Sequence, residues 1–198
     1  MRSIVVRTLT GLTALAAIAA PAQAANWQID GSHTVATFEV THMMISKVRG
    51  EFPKVSGNVD FDLADPTKGK ADITIDVASV NTRDTKRDDH LRSPDFFDAA
   101  QFPTMRFVSK KISKAGTGLK ITGDLTIRGK SKEVTFDVAP FSGPVANPWT
   151  KQESIGTRAT TTINRQDFGV SWNSMMDKGG VVVGDEVTIT LDIELVKK

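Results

Sequence analysis

Cysteine and tyrosine are absent from the 198-residue sequence, and histidine occurs only three times. Without cysteine the protein has no disulfide bonds and no thiolate metal sites. The sequence also lacks the GxSxG motif of serine hydrolases and the HExxH motif of zinc proteases. These absences remove much of the chemistry on which hydrolytic and metal-dependent enzymes depend.

The chain also lacks an apolar run long enough to span a membrane, which requires about 20 residues. The clearest run, residues 9–20, has about twelve residues and follows Arg2 and Arg7. Pro21 and the small-residue site Ala22-Gln23-Ala24 come next, as in a cleaved signal peptide. We therefore expect residues 1–24 to be a cleaved signal peptide. Residues 25–198 then form a single domain, which we expect in the periplasm.

Charge of one sign does not dominate the expected mature chain. The whole sequence has 25 basic and 23 acidic residues, and the signal peptide carries two arginines, so 25 − 2 = 23 basic residues remain against 23 acidic ones. A net charge near zero gives no global attraction to nucleic acid or to an anionic membrane.

Apolar and polar residues alternate in most segments after residue 25, which indicates β-strands with one buried and one wet face. Turn residues separate these segments. The pattern predicts about eight strands, at 26–30 with 33–41, 54–62, 70–79, 103–112, 118–128, 131–141, 154–163 and 186–197. Helical patterns are short, at 83–91, 94–100 and 164–168, and Ser93-Pro94-Asp95 has the composition of a helix start.

One-sided strands in this number share a common interior, either as a two-sheet sandwich or as a closed barrel. Several predicted inward positions are small, namely Gly57, Gly123, Thr157, Ala159 and Thr161. Small inward residues leave volume for a cavity, but glycines also mark bends in curved strands. The alternation alone does not choose between these alternatives.

Six motifs in register carry a resemblance that covers essentially the whole expected mature chain. They are WQID with SHTVATFEVTH at 27–42, KVRGEF at 47–52, HLRSPDFFD at 90–98, GDLTIRG at 123–129, INRQDFGV at 163–170 and VGDEV at 183–187. Together they resemble the YceI family of exported, lipocalin-like, polyisoprenoid-binding proteins. Thr34 stands where relatives often have serine, and it keeps a hydroxyl group.

The resemblance implies an all-β fold, an eight-stranded antiparallel lipocalin-like barrel with a short helical segment near its mouth. It also implies non-enzymatic binding, transport or storage of a long-chain polyisoprenoid, such as a polyprenyl lipid or an isoprenoid quinone, without a cofactor. Two alternatives stay open: an enzyme acting on a quinone head group, and a stress or interaction protein with a filled core. Other long-chain amphiphiles, transient membrane contact and a homodimer also stay open as partners, whereas nucleic acid is not expected.

Strand parity predicts the residues that face the pore. They are Phe38, Val40, His42, Met43, Met44, Phe61, Ile75, Phe97, Met105, Phe107, Phe136, Trp172, Met175 and Met176. Flexible methionine pairs between strands suit a mobile hydrocarbon chain, or they plug one end of the barrel. His42 at the pore mouth either binds a polar head group or bonds to backbone.

The remaining polar motifs have a structural and a functional interpretation. His90 beside Asp88 and Asp89 could act as a base or, with His33 and His42, as a metal ligand, but the 83–98 stretch is better explained as a lid over the barrel. Opposite strand parity of His33 and His42 also argues against a metal site. Arginines at 49, 128 and 165 either bind a lipid phosphate or stabilise turns. Segments 42–50, 83–102 and 170–184 are the predicted mobile loops, and no tyrosine is available to bind a quinone.

Overall fold

The computed structural model describes residues 25–177 and 179–198, so the predicted signal peptide at 1–24 lies outside the described residues. Eleven strands form one continuous sheet. They are β1 (Ala25–Ile29), β2 (Val35–His42), β3 (Ser46–Phe52), β4 (Val55–Phe61), β5 (Lys70–Asp76), β6 (Thr104–Ala115), β7 (Gly118–Ile127), β8 (Lys130–Val138), β9 (Ser142–Ala146), β10 (Glu153–Asn164) and β11 (Val183–Lys197).

Eight of these strands close into an antiparallel barrel, in the order β1, β4, β5, β6, β7, β8, β10 and β11, with β11 returning to β1. Closure confirms the fold that the family resemblance implies and excludes the two-sheet sandwich. Within the described ranges, no helix is both long enough and apolar enough to cross a membrane.

The long strand β11 serves two neighbours along its length. Its last residues pair with β1, whereas residues 183–192 pair with β2, which in turn pairs with β3. The β2–β3 hairpin therefore extends the barrel wall beyond the point where β1 ends. At the outer edge of β3, Glu51 forms a backbone bridge with Asn81, and the Asn81 side chain donates to the Glu51 carboxylate.

Alternation along each strand separates the interior from solvent. In β10, Ile155, Ala159 and Ile163 are buried, while Arg158 and Thr162 on the opposite face are exposed. The same period of two places the buried residues of every barrel strand in one common interior.

Two strands were missed by the sequence pattern. Strand β3 occupies most of the segment predicted as a mobile loop at 42–50. Its sequence does alternate, with Lys47, Arg49 and Glu51 facing outward, but the inward set of Val48, Gly50 and Phe52 is short and has a glycine at its centre. Strand β9 is exposed along its whole length and lies at the edge of the sheet, so it has no buried face to produce a pattern. The predicted strand at 70–79 ends at Asp76, where a 3-10 turn begins.

The predicted helix at 83–91 is confirmed as α1, Thr85–Arg92, whose first turn is capped by the Asp84 side chain. The predicted helix at 94–100 is wrong, since these residues form successive turns. Asp98 has a positive φ of 52° there, and its amide bonds back to the Ser93 carbonyl, which ends any helical path. The third segment is a 3-10 helix, Arg165–Phe168, that stops at Gly169 with φ 76°.

The two ends of the barrel are closed differently. At the helix end, defined here by α1, the turns at 93–102 and residues 165–172, the Arg128 side chain binds the carbonyls of Pro94, Phe96 and Gly169. At the opposite end, near both chain termini of the barrel, Phe61 stacks on Phe141 with ring centroids 5.0 Å apart and lies beside Trp27.

Candidate ligand-binding cavity

An internal cavity of about 360 Å³ lies inside the barrel. Its wall consists mainly of aliphatic and aromatic side chains, which come from the barrel strands and from the β2–β3 hairpin. A volume above about 300 Å³ with an apolar wall is typical of pockets that hold small molecules. Apolar cavities of this kind stay dry and accept apolar ligands.

Most residues predicted from strand parity are found in the cavity wall. They are Phe38, Val40, His42, Ile75, Phe97, Met105, Phe107, Phe136 and Trp172. Phe107 and Phe136 meet edge to face, with centroids 5.1 Å apart, so the wall is already packed where strands β6 and β8 face each other. Whether these residues contact a ligand stays a prediction.

Five predicted residues lie outside the wall. Phe61 is buried, but it belongs to the aromatic cluster that closes the opposite end. Met43, Met44 and Met175 are exposed by 42%, 66% and 73%, and Met176 is half-buried. Strand parity ends with β2 at His42, and the two methionines that follow it have positive φ, so their side chains leave the interior face.

Parity also passed over many wall residues that it could have identified. Strand β7 contributes Ile121, Leu125 and Ile127, and β11 contributes residues including Leu191, Ile193 and Leu195. These aliphatic positions show clean alternation in the sequence. Strand parity therefore predicts them as well as it predicts the aromatic positions, and the cavity wall is just as strongly aliphatic.

The small residues divide between the two interpretations. Ala159 and Thr157 lie in the cavity wall, as the volume argument predicts. Gly57 and Gly123 instead allow close approach of strands, because a Cβ atom would lie 2.3 Å from the Asp72 carbonyl oxygen or the Val108 carbonyl oxygen. Both glycines therefore mark tight curvature of the sheet.

Polar groups of the wall gather at the helix end. Arg87 donates to the Thr82 hydroxyl and carbonyl, and His90 is 2.9 Å from Asp95 with its ring against Trp172. Among the contacts of the described residues, the His42 ring has no hydrogen-bond partner. His42 and His90 are therefore the wall groups with ring nitrogens available to a polar ligand atom.

The 83–98 stretch has the structural role that the lid interpretation predicts. Asp88 is buried and accepts hydrogen bonds from the Thr82 amide and hydroxyl, at 2.8 and 2.6 Å. The Arg92 side chain binds the carbonyls of Ala78 and Val80. These bonds tie α1 to the wall of the barrel, so the segment is fixed at both ends of the helix.

Arg165 is the most buried charged residue of the helix end, with only 5% of its surface exposed. Its guanidinium donates to the carbonyls of Gly184, Val170 and Trp172 at 2.8, 2.6 and 2.9 Å. Burial lowers its pKa from the ordinary value, against the opposing effect of the Asp185 carboxylate. Like Arg128, Arg165 donates its hydrogen bonds mainly to backbone carbonyls, so both arginines stabilise turns. Arg49 is 71% exposed and pairs with Glu39 at 2.6 Å.

The histidines do not form a common metal site. His33 and His42 stand at opposite ends of β2, more than roughly 20 Å apart at about 3.3 Å per residue. Outside the barrel, Asp30, His33 and Glu194 lie close enough together to hold an ion. The Asp30 carboxylate in this group already accepts hydrogen bonds from Ser32 and His33. These bonds, first those from Ser32 and then the one from His33, lower the pKa of Asp30 to about 2.

Known proteins share both the sequence and the architecture. A family model described as YceI-like domain matches residues 27–195. UPF0312 protein SAS2572 of Staphylococcus aureus (strain MSSA476) is 38% identical over 169 residues, which cover 85% of this chain and 96% of that protein. The structure of Burkholderia cenocepacia BcnA aligns with a TM-score of 0.73 and 31% identity over 84% of this chain and 98% of its own.

A more distant structure shows the fold alone. The polyisoprenoid binding domain from Saccharophagus degradans, implicated in plant cell wall breakdown, aligns with a TM-score of 0.62 and 14% identity over 89% of this chain and all of that domain. The architecture is thus kept where the sequence has largely diverged. Because the family model spans most of the chain and close sequence relatives extend over the same region, this protein belongs to the YceI-like domain family.

Proposed function

We propose that the protein is a non-enzymatic, periplasmic carrier or store of a long-chain polyisoprenoid, either a polyprenyl lipid or an isoprenoid quinone. One observation carries the proposal, namely the apolar cavity of about 360 Å³ inside a closed barrel. The architecture that this chain shares with a polyisoprenoid binding domain supports the choice of ligand class.

Burial of the hydrocarbon supplies the binding energy. Each methylene removed from water contributes about 0.8 kcal/mol, so a tail of several isoprene units gains more than most polar contacts provide. The wall offers branched aliphatic groups and flexible Met105, which suit a methyl-branched chain with many conformations. The apolar wall shields the tail from water, and no covalent step is required.

The polar head group would lie at the helix end. Polar wall residues there include His42, Arg87, His90 and Arg165, of which Arg165 is already bonded to backbone carbonyls, while the opposite end is closed by Phe61, Phe141 and Trp27. A quinone carbonyl or a phosphate oxygen beside His42 would accept a hydrogen bond from the imidazole N–H, which the hydrocarbon tail cannot do. The tail would then point toward the aromatic cluster.

The alternatives are separated by this geometry and by one experiment. The cavity argues against the alternative of a stress or interaction protein with a filled core. An enzyme acting on a quinone head group would use the His90–Asp95 pair at the wall, so His90→Ala would abolish turnover of a quinone substrate and leave its binding intact. Brief contact with a membrane follows from the origin of the ligand, and a homodimer stays a prediction.

The test is a pair of phenylalanine substitutions on opposite faces of β10. Ala159 is buried in the cavity wall, so Ala159→Phe places a ring inside the cavity, whereas Thr162→Phe places the same ring on the exposed face. Wild type and Thr162→Phe should retain a stoichiometric long-chain lipid in native mass spectrometry and bind added ubiquinone-10. Ala159→Phe should lose at least tenfold in ubiquinone-10 affinity while remaining folded.

The outcomes distinguish the possibilities. Protein that is repeatedly empty and does not bind added ubiquinone-10 or decaprenyl phosphate contradicts the carrier proposal. Equal affinity of the Ala159→Phe and Thr162→Phe proteins would show that binding occurs outside the cavity.

A further inference from the structure

The turn between β2 and β3 has an unusual combination of sequence and backbone. The Ile45 amide donates to the His42 carbonyl at 3.2 Å, and the two residues between them, Met43 and Met44, have φ values of 50° and 60°. Two successive positive φ angles are the pattern of a type I′ turn, which strongly prefers Asn-Gly. Two methionines are therefore held in a conformation that disfavours side chains of their size.

The same residues are also exposed. Met43, Met44 and Ile45 are 42%, 66% and 85% exposed, and Met175 on the adjoining loop is 73% exposed. We call these four residues the apolar tip. Single exposed apolar residues are ordinary, but a contiguous group is a mark of interaction. The turn is thus unfavourable both in its backbone and in its contact with water.

Contacts between the two loops hold the tip together. The Met43 amide donates to the Val182 carbonyl at 2.7 Å, and Met175 forms a backbone bridge with Val181. Gly180 has φ 94°, and a Cβ atom there would lie within 3.0 Å of the side chains of both Met44 and Met176. The positive φ favours glycine at this position, and the ends of the two methionine side chains pack directly against it.

The apolar tip is continuous with the cavity wall. His42 precedes Met43 directly and lines the cavity, and so do Val182 and Val183, which follow the Met175–Val181 bridge. An apolar path therefore runs along the chain from the wall at the helix end to the tip.

From this arrangement we infer that the apolar tip inserts into the surface of a lipid bilayer, where the cavity exchanges its ligand. The inference rests on the proposed carrier function. Four protruding side chains fall far short of the 20–30 residues and roughly 800 Å² that each partner gives to a stable protein interface. A fluid bilayer demands no complementary shape, and flexible methionine adapts to it.

Charge is consistent with insertion. Residues 43–46 are uncharged, and the first cation after them, Lys47, lies 3.5 Å from Glu39, which also binds Arg49. The turn that carries Met43, Met44 and Ile45 can therefore enter an apolar layer without desolvating an ion, whereas on the adjoining loop the exposed Asp177, two residues after Met175, would have to remain in the headgroup layer. Binding by the apolar tip should depend little on salt, unlike binding by a basic patch.

The experiment uses a variant that suits the turn better than the native sequence. Met43→Asn/Met44→Gly supplies the preferred type I′ pair, so we expect the melting temperature to rise by about 2–4 °C. The matched control is Val145→Ser/Trp149→Ser, which removes side chains that are 65% and 86% exposed in β9 and in the turn that follows it. The protein without its predicted signal peptide is mixed with phosphatidylcholine vesicles, and the fraction that floats with the vesicles is measured. In a second assay, the rate of ubiquinone-10 transfer from loaded vesicles to the protein is measured.

Wild type and the Val145→Ser/Trp149→Ser control should partition equally onto vesicles, at both low and high salt. The Met43→Asn/Met44→Gly protein should partition at least tenfold less and take up ubiquinone-10 correspondingly more slowly. Equal flotation of that variant and wild type would overturn the inference, as would equal loss in the control. A wild-type dimer that Met43→Asn/Met44→Gly dissociates, with no flotation of either, would assign the tip to a second copy instead.

Failure of the carrier proposal gives a different result. The Ala159→Phe protein keeps the apolar tip, so it should float as wild type does even though its cavity is filled. Vesicle binding by wild type without any uptake of ubiquinone-10 would contradict the proposed ligand and leave the insertion intact.

Discussion

Replacement of Arg165 by methionine should be among the most destabilising single changes in this protein. Methionine keeps much of the aliphatic volume and removes the guanidinium. The carbonyls of Val170, Trp172 and Gly184 then lose donors at 2.6–2.9 Å, in a region where the arginine side chain is only 6% exposed. Since these carbonyls come from separate segments, the helix end loses its common anchor.

The magnitude follows from the number of groups left without a partner. A hydrogen bond to a charged group contributes about 1.5–3 kcal/mol, and a buried carbonyl without a donor costs about 1–3 kcal/mol. These two contributions overlap, and some of the carbonyls will form hydrogen bonds with water instead. The sum of the individual contributions is therefore an upper limit on the loss of stability. We expect a loss of ~3–5 kcal/mol in the free energy of unfolding, as for breaking other buried charge contacts. Asp185 is half-exposed and contributes little to this figure.

The assay is equilibrium urea unfolding followed by tryptophan fluorescence, with the midpoint and the slope reported separately. Arg158→Met is the matched control, since Arg158 and Asp192 form a pair with side chains 63% and 44% exposed. Such a surface pair contributes about 0–1 kcal/mol. If Arg165→Met falls within 1 kcal/mol of Arg158→Met, the carbonyl network does not stabilise the fold as argued.

Three further predictions concern packing, capping and pH. Gly50→Ala would place a Cβ atom 2.4 Å from the Phe38 ring, so we expect a loss of ~1–3 kcal/mol in urea unfolding, and an unchanged midpoint would contradict the close contact. Asp88→Ala removes the acceptor for the amide and hydroxyl of Thr82 and should cost ~2 kcal/mol, measured as a lower melting temperature; no change would mean that water replaces it. The pKa of Asp30 is lowered to about 2, so its stabilisation is present above pH 3.8 and is lost as the pH falls through about 2. Asp30→Asn should therefore cost ~1 kcal/mol at pH 7, after allowance for solvent screening, and progressively less as the pH falls from 3.8 through about 2; a pH-independent difference would refute the assignment.

Alternation in the sequence was sufficient to locate the barrel strands, because each has one buried and one wet face. It failed for β3 and β9 for a physical reason. Strand β9 is exposed along its whole length, so it has no buried face to produce an alternating pattern. Strand β3 does have an inward face, but it consists of only Val48, Gly50 and Phe52, and the glycine weakens the apolar signal. Closure of the sheet was not available from alternation at all, since a sandwich and a barrel require the same pattern, and only the family resemblance chose between them.

The cavity wall was predictable inside the strands and unpredictable beyond their ends. Phe107 and Phe136 lie well within regular strands, where parity fixes the direction of each side chain. Met43 and Met44 follow β2 by one and two residues, but the left-handed turn rotates them away from the interior. Their exposure therefore depends on backbone angles that a Met-Met sequence gives no reason to expect.

The roles of the arginines depended on contacts between distant segments. Arg165 meets the Gly184 carbonyl 19 positions further along the chain, and Arg128 meets the Gly169 carbonyl 41 positions away. A motif shows that a cation is present without showing whether its partner is a lipid phosphate or a carbonyl group. Tertiary structure decides this, and in both cases the partner is the backbone of the helix end.

These arginine contacts also restrict where a ligand can pass. Arg128 fixes the turns at 93–102, Arg165 fixes residues 170–172 and 183–184, and Arg92 fixes α1 to the wall. Of the segments predicted to be mobile, 83–102 is therefore the least free to open. The turn at 42–46 and the loop at 174–182 carry the exposed apolar tip, and the Met43 amide joins them by a hydrogen bond to the Val182 carbonyl, while the other backbone bonds of the described loop residues, such as Val182 to Ser174, stay within the loop. An opening at these two loops would break few hydrogen bonds, and it would expose the cavity beside the side chains best suited to contact lipid. Exchange of the proposed ligand therefore costs the least free energy at the place where apolar side chains are already exposed to water.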